Sequence, residues 1–325
     1  MEGHSTFSLI SVVIPAYSIS ESLTRSVLSA LAQTLRRIEI LVVAKDPDGL
    51  SKQLLSPIKD ARLKIKTLPS NAAFGDLVNE GVRQAKSSWI AFLHEYDEWL
   101  PRKLELQFQK GQSLDTLYPV ISCRLSAKSK GKEMIWPRRF PSRHEDLSEY
   151  LFCQKTPFYG EGLIKFSTIL TKKELLTKVP FDASLTRHED YDWLLRIKSF
   201  QGASIVFADT TDPLVIWSME GEAKRPKDGF DLETTLSWQQ RRKQFFTPRA
   251  YACFLLTGVS REVNVDRNLK TFFRLFQEAF RNGRPLIPDF LWSILIWLSP
   301  RTLQHKVALF FARARGFSGQ GPRHH

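Results

Sequence analysis

Cysteine is scarce in this chain of 325 residues: Cys123, Cys153 and Cys253 lie far apart, with no CxxC spacing. An odd, scattered set excludes a disulfide framework and a zinc ribbon, and points to a reducing compartment. No internal repeat is present. No GxGxxG follows the first apolar run, which sets aside the nicotinamide-dependent oxidoreductases. No apolar run reaches the roughly 20 residues that a membrane span needs. The first such run, LISVVIPAY, is not preceded by the basic segment of a secretory leader, so a cytoplasmic protein is expected. Acids are in deficit as well, 34 against 47 Lys and Arg, leaving a formal charge of +13. That excess calls for a negative partner: a phosphorylated substrate, an anionic membrane surface or nucleic acid. With no RRM, KH or zinc-finger pattern, nucleic acid is the weakest of the three.

What is present is an alternation of strand and helix patterns. Residues 9–15, LISVVIP, are short, apolar and rich in β-branched side chains, as in a strand buried on both faces. SESLTRSVLSALAQTL then places Leu23, Val27, Leu28 and Leu31 at helical spacing, with Ser20 as N-cap. IEILVVA and LKIKTLP read as strands, GDLVNEGVRQAK as a helix and SSWIAFLHE as a fourth strand. The fold class is therefore α/β with a mainly parallel sheet, whose ligands gather at the carboxyl ends of the strands. PRKLELQFQKG predicts a helix with Pro101 in its first turn. YPVISCRLSA and ASIVFADTTDPLVIW read as strands, STILTKKELLTKVPF as a strand entering a short helix, and HEDYDWLLRIKSF as a helix. Beyond residue 230 the pattern is mostly helical.

Four pieces carry a resemblance: VVIPAYS, SVLSALAQTLRRIEILVV, SNAAFGDLVNEGVRQAKSSWIAFLHEYDEWLPRKLELQ and FDASLTRHEDYDWLLRI. In this order and spacing the chain resembles the large inverting family of nucleotide-sugar glycosyltransferases with the GT-A fold, over residues 9–215. The resemblance implies a GT-A domain over 1–220, with a donor-nucleotide half (9–105) and an acceptor half (106–220), followed by a helical extension (221–325). It also implies a nucleotide-sugar donor, a glycan or lipid-linked acceptor, a carboxylate base, a divalent ion (manganese or magnesium) on the donor diphosphate, and work in cell-surface polysaccharide assembly.

Several family positions are altered. Ser18 stands where the family has asparagine, Ala44-Lys45 where it has paired aspartates, and Val78 where arginine commonly precedes the residue matching Asn79. The FLDxDD motif, whose first and third polar positions supply the metal pair, has His94 and Tyr96 there. Hard cations want oxygen ligands. If the chain stays extended, Glu95 and Asp97 point the same way and form a shifted pair. The alternatives are acids that are solvated or paired with Arg102 and Lys103, and a metal-independent diphosphate site built from basic side chains. Lys224, Arg225 and Lys227 are candidates for such a basic loop, or are simply solvated.

For the nucleotide, the resemblance points to Pro15, Ala16 and Tyr17 after the first strand, Asp46 or Asp48 as replacement ribose ligands, and Asn79. For catalysis it points to Glu189 and Asp190, with Asp190 the base that takes the acceptor hydroxyl proton. Acids in a first helical turn also suit the helix dipole, a structural reading that stays open for both. Asp192 and Arg196, four apart, are expected to pair. Trp193 either packs in the core or stacks on a sugar. The altered positions also support a second reading, a non-catalytic nucleotide- or glycan-binding or scaffold protein.

Leu286 to Leu298 is the most apolar stretch, too short to span a bilayer. With Trp292, Trp297, Arg301, Lys306, Arg313 and Arg315 it has the composition of an interfacial helix, which suggests a peripheral seat on the inner face of the cell membrane. A helix capping the catalytic core is the alternative.

Overall fold

The computed structural model describes residues 10–129, 131–156, 160–219, 231–263 and 268–298. Contacts divide the chain into two compact units, one of residues 1–140 and 163–229, the other of 141–162 and 230–325. The second unit is thus built from two separate stretches of sequence.

The first unit opens with β1 (Ile10–Ala16), α1 (Glu21–Leu31), β2 (Ile38–Lys45), α2 (Leu50–Leu55), β3 (Leu63–Leu68), α3 (Phe74–Gln84) and β4 (Trp89–Phe92). It continues with β5 (Glu98–Trp99), α4 (Lys103–Gln112), β6 (Tyr118–Ser122), β7 (Leu125–Ser129) and β8 (Lys132–Trp136). After α5 (Leu147–Phe152), which belongs to the second unit, come β9 (Leu170–Lys172), α6 (Lys173–Lys178), α7 (Glu189–Lys198), β10 (Ala203–Phe207) and β11 (Val215–Ser218).

Seven strands form the main sheet in the order β10-β6-β9-β4-β1-β2-β3. All neighbours are parallel except β9, which runs against both β4 and β6. Every residue of β1 and β4 is buried, as continuous apolar strands covered on both faces must be. Where an acid does enter a strand it is satisfied: Glu39 accepts from Ser11 Oγ at 2.6 Å, Lys64 Nζ at 2.7 Å and the Lys86 N–H at 2.7 Å. Helix α3 lies so close to β1 that a Cβ on Gly81 would fall 2.4 Å from Val13 Cγ1.

Four short strands make a second sheet, β5-β11-β7-β8. The sequence pattern ran β6 and β7 together as YPVISCRLSA, and read ASIVFADTTDPLVIW, which holds β10 and β11, as a strand pair. In the structure each pair divides between the two sheets.

The second unit holds α5, α8 (Leu232–Arg241), α9 (Pro248–Cys253), a π-helical turn (Phe254–Val259), α10 (Ser260–Val263), α11 (Leu269–Asn282) and α12 (Ile287–Leu298). Asp231 caps α8 through the N–H groups of Glu233 and Thr234, and Thr247 caps α9 through that of Ala250. Phe152, Trp238, Phe246 and Phe254 form its aromatic core, with ring centroids 5.1–6.1 Å apart. The Asp289 carboxylate, on α12 and almost fully buried, receives two bonds from the Arg249 guanidinium at 3.0 and 3.1 Å. All three cysteines are buried and unbridged.

Candidate functional site

The strand order reverses between β1 and β4, the point where open α/β sheets receive ligands at their carboxyl ends. Pro15 and Ala16 close β1, paired with Val43 and Ala44 of β2 and buried within the sheet. Tyr17 emerges beyond them, half-buried, with its ring 6.3 Å from Phe74 in a near-parallel stack and Lys45 Nζ 5.2 Å from its centroid. Phe74, the first residue of α3, stacks in turn on His94 at 6.0 Å, and His94 on Tyr96 at 5.6 Å. A ladder of rings thus spans the mouth from β1 to β4. Each aromatic pair contributes about 0.5–1.5 kcal/mol beyond its burial.

The chain does not stay extended through residues 94–97, the condition for the shifted pair of Glu95 and Asp97. The Asp97 N–H donates to the His94 carbonyl at 3.0 Å and closes a turn. The two acids consequently serve different partners. Glu95 is fully buried, and its carboxylate accepts the backbone N–H groups of Tyr17 and of Ser18, the latter at 3.1 Å. Asp97 accepts from Ser167 Oγ at 2.5 Å, while that same hydroxyl accepts the His94 N–H at 2.9 Å. Ser167 therefore staples both ends of the turn.

A divalent cation with six or more oxygen ligands finds a poor donor set here. One carboxylate holds the backbone of the β1 exit, the other a serine, and the positions between and before them carry a phenol and an imidazole. Among the described residues no group of three His, Cys, Asp or Glu side chains could hold a metal ion. The residues do not fit the ion that the sequence resemblance implies.

Asp46 turns to α2. Its carboxylate accepts the N–H groups of Leu50 at 3.0 Å and Ser51 at 2.7 Å. Burial pushes its pKa up, but hydrogen bonds from Ser51 and from the amides of Gly49, Leu50 and Ser51 outweigh that and hold it below the usual aspartate value. Asp48, two residues on, is exposed at the same end of the sheet. Asn79 faces another way again, bonding both backbone groups of Phe181.

That contact anchors the segment leading to α7. On the α3 side, Gly75 lies so near it that a Cβ there would meet Ala183 Cα at 2.7 Å. From α7, Trp193 Nε1 donates to the Val179 carbonyl and Arg196 to that of Pro180, at 2.8 and 2.7 Å. Arg196 also pairs with the buried Asp192 at 2.7 Å, as its spacing suggested. Trp193 is fully buried and stacks 5.3 Å from Phe181, which places it in the core. Phe181 also packs edge-on against Phe74 and Phe92, so the approach to α7 and the ring ladder share one aromatic cluster.

His188 ends this approach with φ 64°, a left-handed conformation that costs a non-glycine residue about 1–3 kcal/mol. Among the described residues it is the one non-glycine residue with positive φ. Burial, with the charge of Arg187 beside it, pushes its imidazole pKa down to about 3 against a smaller opposing effect of Asp192. The backbone reversal starts α7 with Glu189 turned inward and buried, and Asp190 half-exposed, one oxygen accepting the Tyr191 N–H at 2.9 Å. Of the two acids, Asp190 is the accessible one.

Phe74, Ser167 and His188 were not singled out by sequence. A lone histidine before an acid pair carries no signal until its φ is known. Lys224, Arg225 and Lys227 lie outside the described residues. A cleft of about 450 Å³ occurs in the second unit, lined by Glu233, Gln240, Arg274 and Arg281 among others. An Arg274–Glu233 ion pair lies within its wall, and none of the residues above borders it.

A family model described as glycosyl transferase family 2 matches residues 11–179, just over half of the chain. The amylovoran biosynthesis glycosyltransferase AmsB of Erwinia amylovora is 27% identical over 251 residues, covering 74% of this chain and 79% of AmsB. WfgD of Escherichia coli, a UDP-Glc:alpha-D-GlcNAc-diphosphoundecaprenol beta-1,3-glucosyltransferase, is 29% identical over 99 residues, 30% of this chain and 39% of its own. Among solved structures, S. aureus TarS 1-349 in complex with UDP-GlcNAc superposes with a TM-score of 0.55 at 14% identity, covering 94% of this chain and 92% of that one. That likeness concerns the fold.

Proposed function

The chain belongs to glycosyl transferase family 2, and on that footing we propose that it transfers a sugar, with inversion, from a nucleotide-sugar donor to a glycan or lipid-linked acceptor in cell-surface polysaccharide assembly. The fold is the α/β GT-A type, a mixed, mainly parallel sheet with C-terminal helices. AmsB, by its name, works in amylovoran biosynthesis, and WfgD uses a diphosphoundecaprenol-linked acceptor. AmsB's name supports a role in polysaccharide assembly, and WfgD's supports a lipid-linked acceptor.

The observation that carries the reading is the half-exposed Asp190 at the start of α7, set by a strained His188. As the acceptor oxygen attacks the anomeric carbon and the bond to the nucleoside diphosphate breaks, the Asp190 carboxylate takes the hydroxyl proton. Glu189, the other acid of the pair, is buried beside it. Tyr17 and the exposed Asp48 offer a ring face and a carboxylate to the nucleoside. No step passes through a divalent ion, because the carboxylates of Glu95 and Asp97 are engaged with the protein itself. General-base catalysis contributes roughly 10²–10⁴-fold, so Asp190→Asn should lose that much turnover and keep nucleotide affinity. Unchanged turnover would refute the assignment.

The same engagement of Glu95 and Asp97 favours a second reading, a binding or scaffold protein on this fold. Failure to bind any nucleoside diphosphate, with or without manganese, would decide for the scaffold.

A further inference from the structure

Eight of the twelve large apolar side chains that stand exposed among the described residues lie between residues 269 and 298. They are ordered, not scattered. Leu269, Phe273 and Phe280 follow one another along α11, and Ile287, Leu291 and Leu295 along α12, at the separations that keep a single helix face. Phe276 bridges the two helices, with its ring 4.8 Å from Phe280 and 4.8 Å from Phe290. Leu275, Ala279, Ile296 and Trp297 are meanwhile buried. Each helix is therefore apolar both toward the unit's interior and away from it, and a contiguous outward patch of this kind marks an interaction surface.

The charges around the patch identify what it meets. The acid within the apolar stretch, Asp289, is turned inward onto Arg249. Nearby acids are engaged too: Glu233 with Arg274, and Glu278 with Tyr251 and Asn282. Lys270, Arg281 and Arg284 stand exposed on the same two-helix segment. After Asp289 the sequence contains no further Asp or Glu, while Arg301, Lys306, Arg313, Arg315 and Arg323 follow. A second copy of the chain would match the apolar area but bring like charges together.

We infer that the outward α11–α12 face seats the protein on an anionic lipid bilayer, its leucines and phenylalanines entering the interface and its basic side chains meeting the headgroups. The helix lies on the membrane and does not cross it. At 1.5 Å per residue the described part of α12, Ile287–Leu298, is about 18 Å long, and among the described residues no helix is long and apolar enough for a span. Of the two tryptophans expected at the interface, Trp297 is buried against Phe272 at 5.0 Å, so the exposed leucines take that place.

The test uses the full-length protein and vesicles of phosphatidylcholine with or without phosphatidylglycerol, and needs neither donor nor acceptor. Its outcome is therefore separate from that of the transfer reading. The wild type should sediment with the mixed vesicles, less so with neutral ones and less at high salt. The triple variant Phe273→Ser, Leu291→Ser, Leu295→Ser should partition about tenfold more weakly. Its altered side chains are exposed, so circular dichroism and the unfolding midpoint should match wild type. Should it fail to fold, the double variant Arg281→Glu, Arg284→Glu decides, and its binding to mixed vesicles should fall severalfold. Wild type left in the supernatant, or variants that sediment as it does, would overturn the inference. So would a wild-type dimer that the triple variant converts to monomer without any vesicle binding.

Discussion

Asn79 grips Phe181 at both polar groups of its backbone: the side-chain amide donates to the carbonyl at 2.8 Å, and the side-chain oxygen accepts the N–H at 3.0 Å. The two residues are 102 positions apart in sequence. Through this contact, helix α3 fixes the approach to α7 and hence the direction from which Asp190 is presented.

Asn79→Ala leaves a half-buried carbonyl and N–H without these partners, at about 1–3 kcal/mol. Thermal unfolding should occur earlier, and kcat should fall more than KM rises, since the donor pocket keeps its other parts. A variant with unchanged kcat would sever the link between this clamp and the chemistry.

Glu95 offers a test of the metal question. Isothermal titration with a panel of nucleoside diphosphates should give affinities that differ by less than about twofold between EDTA and manganese, since its carboxylate already binds two amides. A tenfold gain with manganese would show that the turn opens to receive an ion. Glu95→Ala should destabilise the fold by about 2 kcal/mol, because it strips the Tyr17 and Ser18 N–H groups of a charged acceptor.

His188 makes stability depend on pH. Its folded pKa of about 3 lies below the ordinary 6.5, so between these values the unfolded chain binds a proton that the folded one refuses. Stability is therefore complete above pH 6.5 and declines as pH falls toward 3, by up to about 1.4 kcal/mol per unit. His188→Asn tolerates the left-handed conformation and does not titrate. The urea midpoints of wild type and variant should converge at pH 7.5 and separate at pH 5, with the variant the more stable there.

Asp46→Ala should cost about 1 kcal/mol through loss of the α2 cap. It should leave nucleotide affinity nearly unchanged, whereas Asp48→Ala should weaken it. Titrations of the two variants would tell the structural acid from the ligand acid.

How legible was all this in the sequence? Buried strands with β-branched runs were plain, as were α1, α3, α4 and α7, because periodicity is a local property. The second sheet was not, since its strands run from two to five residues and leave no period to read. Helix α2 escaped for a related reason: its six residues depend on Asp46, which was read as a ribose ligand instead. The acids were expected just beyond strand ends and at a helix start, and in the structure Asp46 follows β2, Glu95 follows β4 and Glu189 opens α7. What each one bonds was hidden, because Glu95 meets Tyr17 across 78 positions and Asp97 meets Ser167 across 70. Residue type announces a hydrogen-bonding group but carries no record of its partner.

The composite make-up of the second unit bears on any attempt to divide the protein. Cutting the chain after residue 229 would not release a clean first unit, because α5 would stay behind while the helices it packs on were removed. Phe152 would lose the rings of Phe246 and Phe254, and the hydroxyl of Ser148 the Thr247 amide. Such a fragment would carry a greasy, orphaned segment and aggregate, so the two stretches of the second unit must be made and purified together.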